Sequence, residues 1–200
     1  PQGALVEVVK ALAQEANVEY DIALYPFARA YKRLQTKPNV LMFSLLRSPG
    51  RENEFQWLGK TFHNTAYLVS LRNRELQLTN LEQAKQYSVG TIRGYYSETY
   101  LCDDGFREGS NLSLSVNYQN LWQMLFNQRI DFVLTNTLSM TTELNELGLD
   151  VSNVKSVLEL QDFPSELNLA ANLELDPSIA LVLQQSLYAI KANGEYQRIL

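Results

Sequence analysis

Apolar positions along the chain switch between two periods, and the switches mark out the elements. Leu5, Val8, Val9, Leu12 and Ala16 recur at helical spacing and predict a first helix over residues 4–15, ended by Asn17. Residues 18–24 alternate loosely and predict a strand. Pro26 opens a second helix over residues 28–35, and Pro38 stops it. Residues 40–46 form a short, nearly continuous apolar run. That is the pattern of a strand covered on both faces, as in a mostly parallel sheet. Residues 55–58 and 66–71 predict further strands.

From Leu78 the pattern starts afresh. A short helix over 81–85 leads to a strand at 87–93, then Gly94, then a helix from Ser97. Residues 112–116 alternate as a strand, 118–126 are amphipathic and helical, and 130–135 read as a buried strand. A helix over 140–147 is closed by Gly148. Strands at 154–160 and 167–171 follow. The last helix runs over 177–193, with Pro177 at its start and Gly194 beyond its end. Strands alternate with helices twice over, which defines an α/β class in two units.

Composition narrows the function. A 200-residue chain with 46% hydrophobic residues buries a core without staples. The net charge of −5 argues against a nucleic-acid surface. Arg29, Lys32, Arg33 and Lys37 do cluster, on one predicted helix face that reads as solvated. Cys102 is the only cysteine, so an intrachain disulfide is excluded. No run reaches the roughly 18 apolar residues of a membrane span. The sequence begins at Pro1 and runs straight into a helix pattern without a signal peptide, so a processed or trimmed start is expected.

Catalytic chemistry finds little to build on. His63 is the only histidine, and its surroundings read as a surface loop. One His and one Cys make no zinc pattern. Asp103-Asp104 and Glu143/Glu146 read as solvated turn and helix residues. The sequence therefore predicts no catalytic residue, no metal and no cofactor. Gly90 to Gly94 lies between a strand and a helix but is neither a dinucleotide nor a Walker motif. Its content is geometric: a helix N-terminus there presents backbone N–H groups to an anion.

Arg47-Ser48-Pro49-Gly50-Arg51 points to binding. Two arginines follow the apolar strand at its C-terminal end, where open α/β sheets bind ligands. Arginine holds a carboxylate through two parallel hydrogen bonds. Alternatively, one of the two pairs internally with Glu52 or Glu54. Tyr25 and Phe27 also lie at a strand end, as aromatic lining or, for Phe27, as core.

Several segments in order carry a resemblance: GALVEVVKALAQEANVEYDI, YPFARAYKRLQ, SLLRSPGRENEFQWLGK, LEQAKQYSVGTIRGYYSE, RIDFVLTN and LDPSIALVLQQSLYAIKANGEYQRIL. Together they resemble the family 3 extracellular solute-binding proteins, the periplasmic receptors typified by polar amino-acid binding proteins of ABC importers. The resemblance implies a two-lobed type II fold, each lobe a mostly parallel sheet flanked by helices. Lobe one would take residues 1–74 and 174–200, and lobe two residues 75–173, with crossings near 70–77 and 169–173. Family members begin with a strand and an aromatic-Pro-Pro-aromatic segment, and this sequence starts after them, so that strand is expected to be missing.

The resemblance also implies roles. Arg51 matches the arginine that clamps a ligand's carboxylate, with Arg47 beside it. Ser44 matches a polar contact of lobe one. Gly94, Tyr95 and Tyr96 match the lobe-two turn that meets the same carboxylate. Asn136 stands where amino-acid receptors carry an Asp for the ammonium group, and Leu46 where a polar contact is usual. These departures widen the expected ligand from α-amino acids to other carboxylates and polar solutes. The implied protein is a periplasmic, monomeric receptor that holds a small polar solute in an interlobe cleft and serves a membrane permease. The alternatives are a sensory domain of a membrane signalling protein or lytic enzyme, and an enzyme resembling cyclohexadienyl dehydratase with Glu98 as its acid/base.

Overall fold

The computed structural model describes residues 3–200. In chain order the elements are α1 (Ala4–Ala16), α2 (Phe27–Thr36), β1 (Leu41–Leu46), β2 (Gln56–His63), β3 (Ala66–Leu71), α3 (Leu81–Ala84), β4 (Val89–Ile92), α4 (Tyr96–Asp103), β5 (Leu112–Ser115), α5 (Tyr118–Phe126), β6 (Phe132–Asn136), α6 (Met140–Glu146), β7 (Val154–Glu159), β8 (Glu166–Ala171), α7 (Pro177–Ala192) and α8 (Glu195–Ile199). They divide into two compact units. One runs to His63 and resumes over Glu166–Leu200; the other is Asn64–Ser165.

The first unit is built on a three-stranded sheet in the order β1-β8-β2, antiparallel throughout. Because successive strand residues point to opposite faces, β8 serves two cores. Leu169 packs with Val8 and Leu12 of α1 and with Leu183, Leu187 and Ile190 of α7. Ala170, the next residue, packs with Leu34 of α2, Leu45 and Phe55. Helix α2 turns Phe27, Tyr31 and Leu34 inward, at positions i, i+4 and i+7.

The second unit has a five-stranded mixed sheet in the order β5-β4-β6-β3-β7. β4 is parallel to β5 and β6, while β3 is antiparallel to β6 and β7. Phe132 and Leu134 face a core with Leu101 and Phe106, and Val133 between them faces Trp122, Leu125 and Leu144. Gly90 permits the close approach of this layer. A Cβ there would lie 2.5 Å from Ile130 Cδ1 and 2.8 Å from Leu121 Cδ1. Asn117 starts α5 by accepting the Asn120 N–H at 2.9 Å, a cap that satisfies an otherwise orphan donor.

Three expectations are corrected. Neither sheet is mostly parallel: that of the first unit is antiparallel and that of the second is mixed. Residues 18–24 form no strand. No described strand pairs with them, and Tyr20 and Leu24 remain 51% and 69% exposed, so no buried face fixes a register. The crossings fall earlier than residues 70–77 and 169–173. β3 belongs to the second sheet, and β8 is the central strand of the first.

Candidate functional site

The lobe-one residues gather at the C-terminal end of β1. The ladder to β8 shifts register between Phe43 and Leu45, which leaves Ser44 at an irregularity. Beyond the strand, the Arg47 N–H donates to the Glu166 carbonyl at 3.2 Å. Ser48 then opens a single 3-10 turn, Pro49–Arg51, whose Arg51 N–H returns to the Ser48 carbonyl at 3.0 Å. Ser48 is 4% exposed, and its Oγ is buried with no hydrogen-bond partner among the described residues. Leaving a buried hydroxyl unpartnered costs about 1–3 kcal/mol.

The two arginines divide their roles. Arg47 engages Glu52 with both arms: Nε reaches Oε2 at 2.9 Å, and a terminal nitrogen bonds Oε1. Its guanidinium also lies 5.4 Å from the Trp57 ring centroid. The internal pair expected with Glu52 is therefore formed by Arg47. Arg51 is half-buried and differently held. It donates to the Leu46 carbonyl at 3.3 Å and stands 5.1 Å and 5.8 Å from the rings of Tyr31 and Phe27. Phe27 and Tyr31 stack at 5.7 Å. The Tyr31 hydroxyl donates to Glu54 at 2.7 Å; burial first, then that bond, pushes its pKa up to about 12. Tyr25 faces other partners, the guanidinium groups of Arg29 and Arg33 at 4.6 Å and 5.1 Å.

In the second unit, Gly94 makes the turn between β4 and α4 with φ of 81°, a left-handed conformation that favours glycine. Its N–H donates to the Glu98 carboxylate at 2.5 Å. An internal carboxylate thus already occupies part of the anion cradle that the sequence predicted there. Tyr95 precedes the first residue of α4 and is 41% exposed. Burial, and then the nearby Glu143 charge, raise its phenol pKa. Tyr96 packs edge-on against Phe163 at 5.5 Å.

Asn136 closes β6. Its Oδ1 accepts the N–H groups of Leu138 and Ser139, both at 3.0 Å, and so leads into α6. No hydrogen bond among the described residues engages Nδ2. Glu143, on α6, accepts the Trp122 indole N–H at 2.7 Å. Burial raises its carboxyl pKa, against the opposing pull of its bonds to Trp122 and Ser139.

The structure brings Ser44, Arg47 and Arg51 together around one strand end, and Gly94, Tyr95 and Tyr96 around one turn. The sequence reading missed Ser48, since a lone serine carries no periodicity; its place between two arginines and before a proline was the available signal. It also missed the Glu98 contact, although a Glu four residues past the turn glycine is within reach of it. Two shallow hollows, one beside Lys10 and Tyr20 and one beside Arg72 and Phe126, include none of these residues.

No family model matches the chain, and no curated protein does. Solved structures do match. An ancestral arginine-binding protein bound to arginine is 19% identical, with a TM-score of 0.81 over 98% of this chain and 85% of its own. A histidine kinase sensor domain with similarity to periplasmic binding proteins is 17% identical, with a TM-score of 0.86 over 100% of this chain and 84% of its own. The amino acid ABC transporter substrate-binding protein AbpA of Streptococcus pneumoniae, bound to L-arginine, is 17% identical, with a TM-score of 0.81 over 99% and 81%. The chain has the α/β fold of the periplasmic binding proteins.

Proposed function

We propose that the chain is an extracytoplasmic solute receptor that captures a small polar solute carrying a carboxylate, an amino acid or a related acid, and presents it to an ABC importer. The observation that carries this reading is Arg51, half-buried on the short turn that follows β1 and set against the Tyr31 and Phe27 rings at 5.1 Å and 5.8 Å, since a guanidinium so placed can clamp a carboxylate through two parallel hydrogen bonds. In this reading Arg51 and Ser44 meet the solute from lobe one. The Gly94–Tyr96 turn and Asn136 are the residues of the second unit proposed for solute contact. Arg47, already paired with Glu52, shapes the turn rather than clamping the ligand. The role is binding without turnover. Glu98, the one acid/base that an enzyme reading offered, is engaged by the Gly94 N–H. Similar folds bound to arginine and to glutamine support amino acids as the first solutes to try.

A second reading is the ligand-binding input of a membrane signalling protein, favoured by the sensor-domain structure with its TM-score of 0.86. Both readings require solute binding. A thermal-shift panel of amino acids, dicarboxylates and small peptides tests it. A ligand at a hundredfold excess over its dissociation constant adds about 2.7 kcal/mol of stability. Absence of any shift across the panel contradicts both readings.

A further inference from the structure

The outward face of α2, with the Lys37 cap that follows it, carries four cations and no acid. Arg29, Lys32, Arg33 and Lys37 stand at i, i+3, i+4 and i+8, opposite the inward Phe27, Tyr31 and Leu34. Arg29, Lys32 and Lys37 are exposed and Arg33 is partly so. None of the four forms an ion pair among the described residues. Arg29 and Arg33 are instead set in place over the Tyr25 ring, at 4.6 Å and 5.1 Å. Such contacts hold a guanidinium without neutralising it. Next to Tyr25 in the chain stands Leu24, 69% exposed, and Tyr20 is 51% exposed. Glu19 and Asp21 lie in the same segment and belong to its charge balance.

We propose that this face of α2, with the exposed Leu24 next to Tyr25 in the chain, docks the protein on an anionic phospholipid bilayer. Charge complementarity selects the occupant. Four unneutralised cations on one stripe attract a surface of phosphate headgroups, each adding about a fivefold factor to partitioning. The exposed leucine favours a bilayer over an acidic protein, because an aliphatic side chain gains by entering the headgroup boundary. The chain as a whole carries a net charge of −5 and is repelled by such a surface. Binding to it therefore reports the local patch rather than bulk charge. The inference does not depend on the proposed solute site.

Cosedimentation of the chain with vesicles of phosphatidylcholine alone, or mixed with phosphatidylglycerol, tests it at low and high salt. The expected result is a bound fraction only with the anionic vesicles, lost at high salt and reduced at least tenfold in K32E/K37E. That pair leaves the Tyr25 stack intact, so the loss is not a folding effect. The quadruple neutral variant R29Q/K32Q/R33Q/K37Q is expected to match the level on phosphatidylcholine. No binding to anionic vesicles at low salt overturns the proposal. So does unchanged binding by K32E/K37E, or retention on immobilised polyglutamate without vesicle binding.

Discussion

The carboxylate of Glu98 accepts the backbone N–H of Gly94 at 2.5 Å, on the turn that leads into α4. A free backbone N–H at a helix start is where an incoming anion binds. Here the protein supplies its own anion, so a ligand carboxylate reaching this turn competes with Glu98. Glu98→Ala is expected to tighten carboxylate binding by roughly fivefold, about 1 kcal/mol. The same change lowers stability by about 0.5 kcal/mol, through loss of an acidic group in the first turn. Calorimetric titration and chemical denaturation read the two effects. A weakened affinity would instead make Glu98 a positioning residue for the turn.

The two arginines of the lobe-one turn are expected to separate on mutation. Arg51→Ala removes the proposed clamp and is expected to leave the solute's charge unpaired, a loss of about 2–5 kcal/mol of binding. Arg47→Ala breaks an exposed pair with Glu52, which contributes about 0–1 kcal/mol. Its effect on affinity is therefore slight. Dissociation constants of both variants for the same solute check the distinction.

Burial holds the Glu143 carboxyl above its ordinary pKa. The native state thus keeps a proton that the unfolded chain has already released. The stability this confers is fully present below the ordinary carboxylate pKa and is lost as pH rises through the raised native value. Glu143→Gln can keep an oxygen acceptor for the Trp122 indole while removing the charge. The wild-type chain is expected to lose stability relative to this variant as pH rises across that window. Urea denaturation of the pair at several pH values gives the difference. A difference independent of pH contradicts the assignment.

Gly90 sits where β4 passes beneath Leu121 and Ile130. Gly90→Ala brings a methyl group to 2.8 Å from Leu121 Cδ1 and 2.5 Å from Ile130 Cδ1, so both side chains must shift. Overpacking of this kind costs about 1–3 kcal/mol. A lowered denaturation midpoint with an unchanged slope is the expected signature.

How much of this was legible in the sequence depends on whether the signal is local. Helix α5 is read from the sequence with the bounds it has, because its apolar period lies within it. Strand β2 was read as only four residues, 55–58, against the observed Gln56–His63. Two register shifts, between Trp57 and Gly59 and between Lys60 and Phe62, break the alternation that marks a strand. The short α8 was missed because Gly194, read as a stop, is also the residue from which the chain restarts. Which sheet β3 and β8 join is a matter of pairing with distant strands, and no local pattern states it. At the candidate site, the arginine turn was visible from residue types alone. That Arg47 rather than Arg51 takes Glu52 was left open, because both choices have suitable spacing.

The most direct test of the solute-receptor reading is calorimetric titration of L-arginine, L-glutamine and glutarate into the chain and into Arg51→Ala. The account predicts that at least one of them saturates the wild-type chain at one site and that the variant no longer binds it. Failure of all three to bind the wild-type chain, or equal binding by Arg51→Ala, would contradict it.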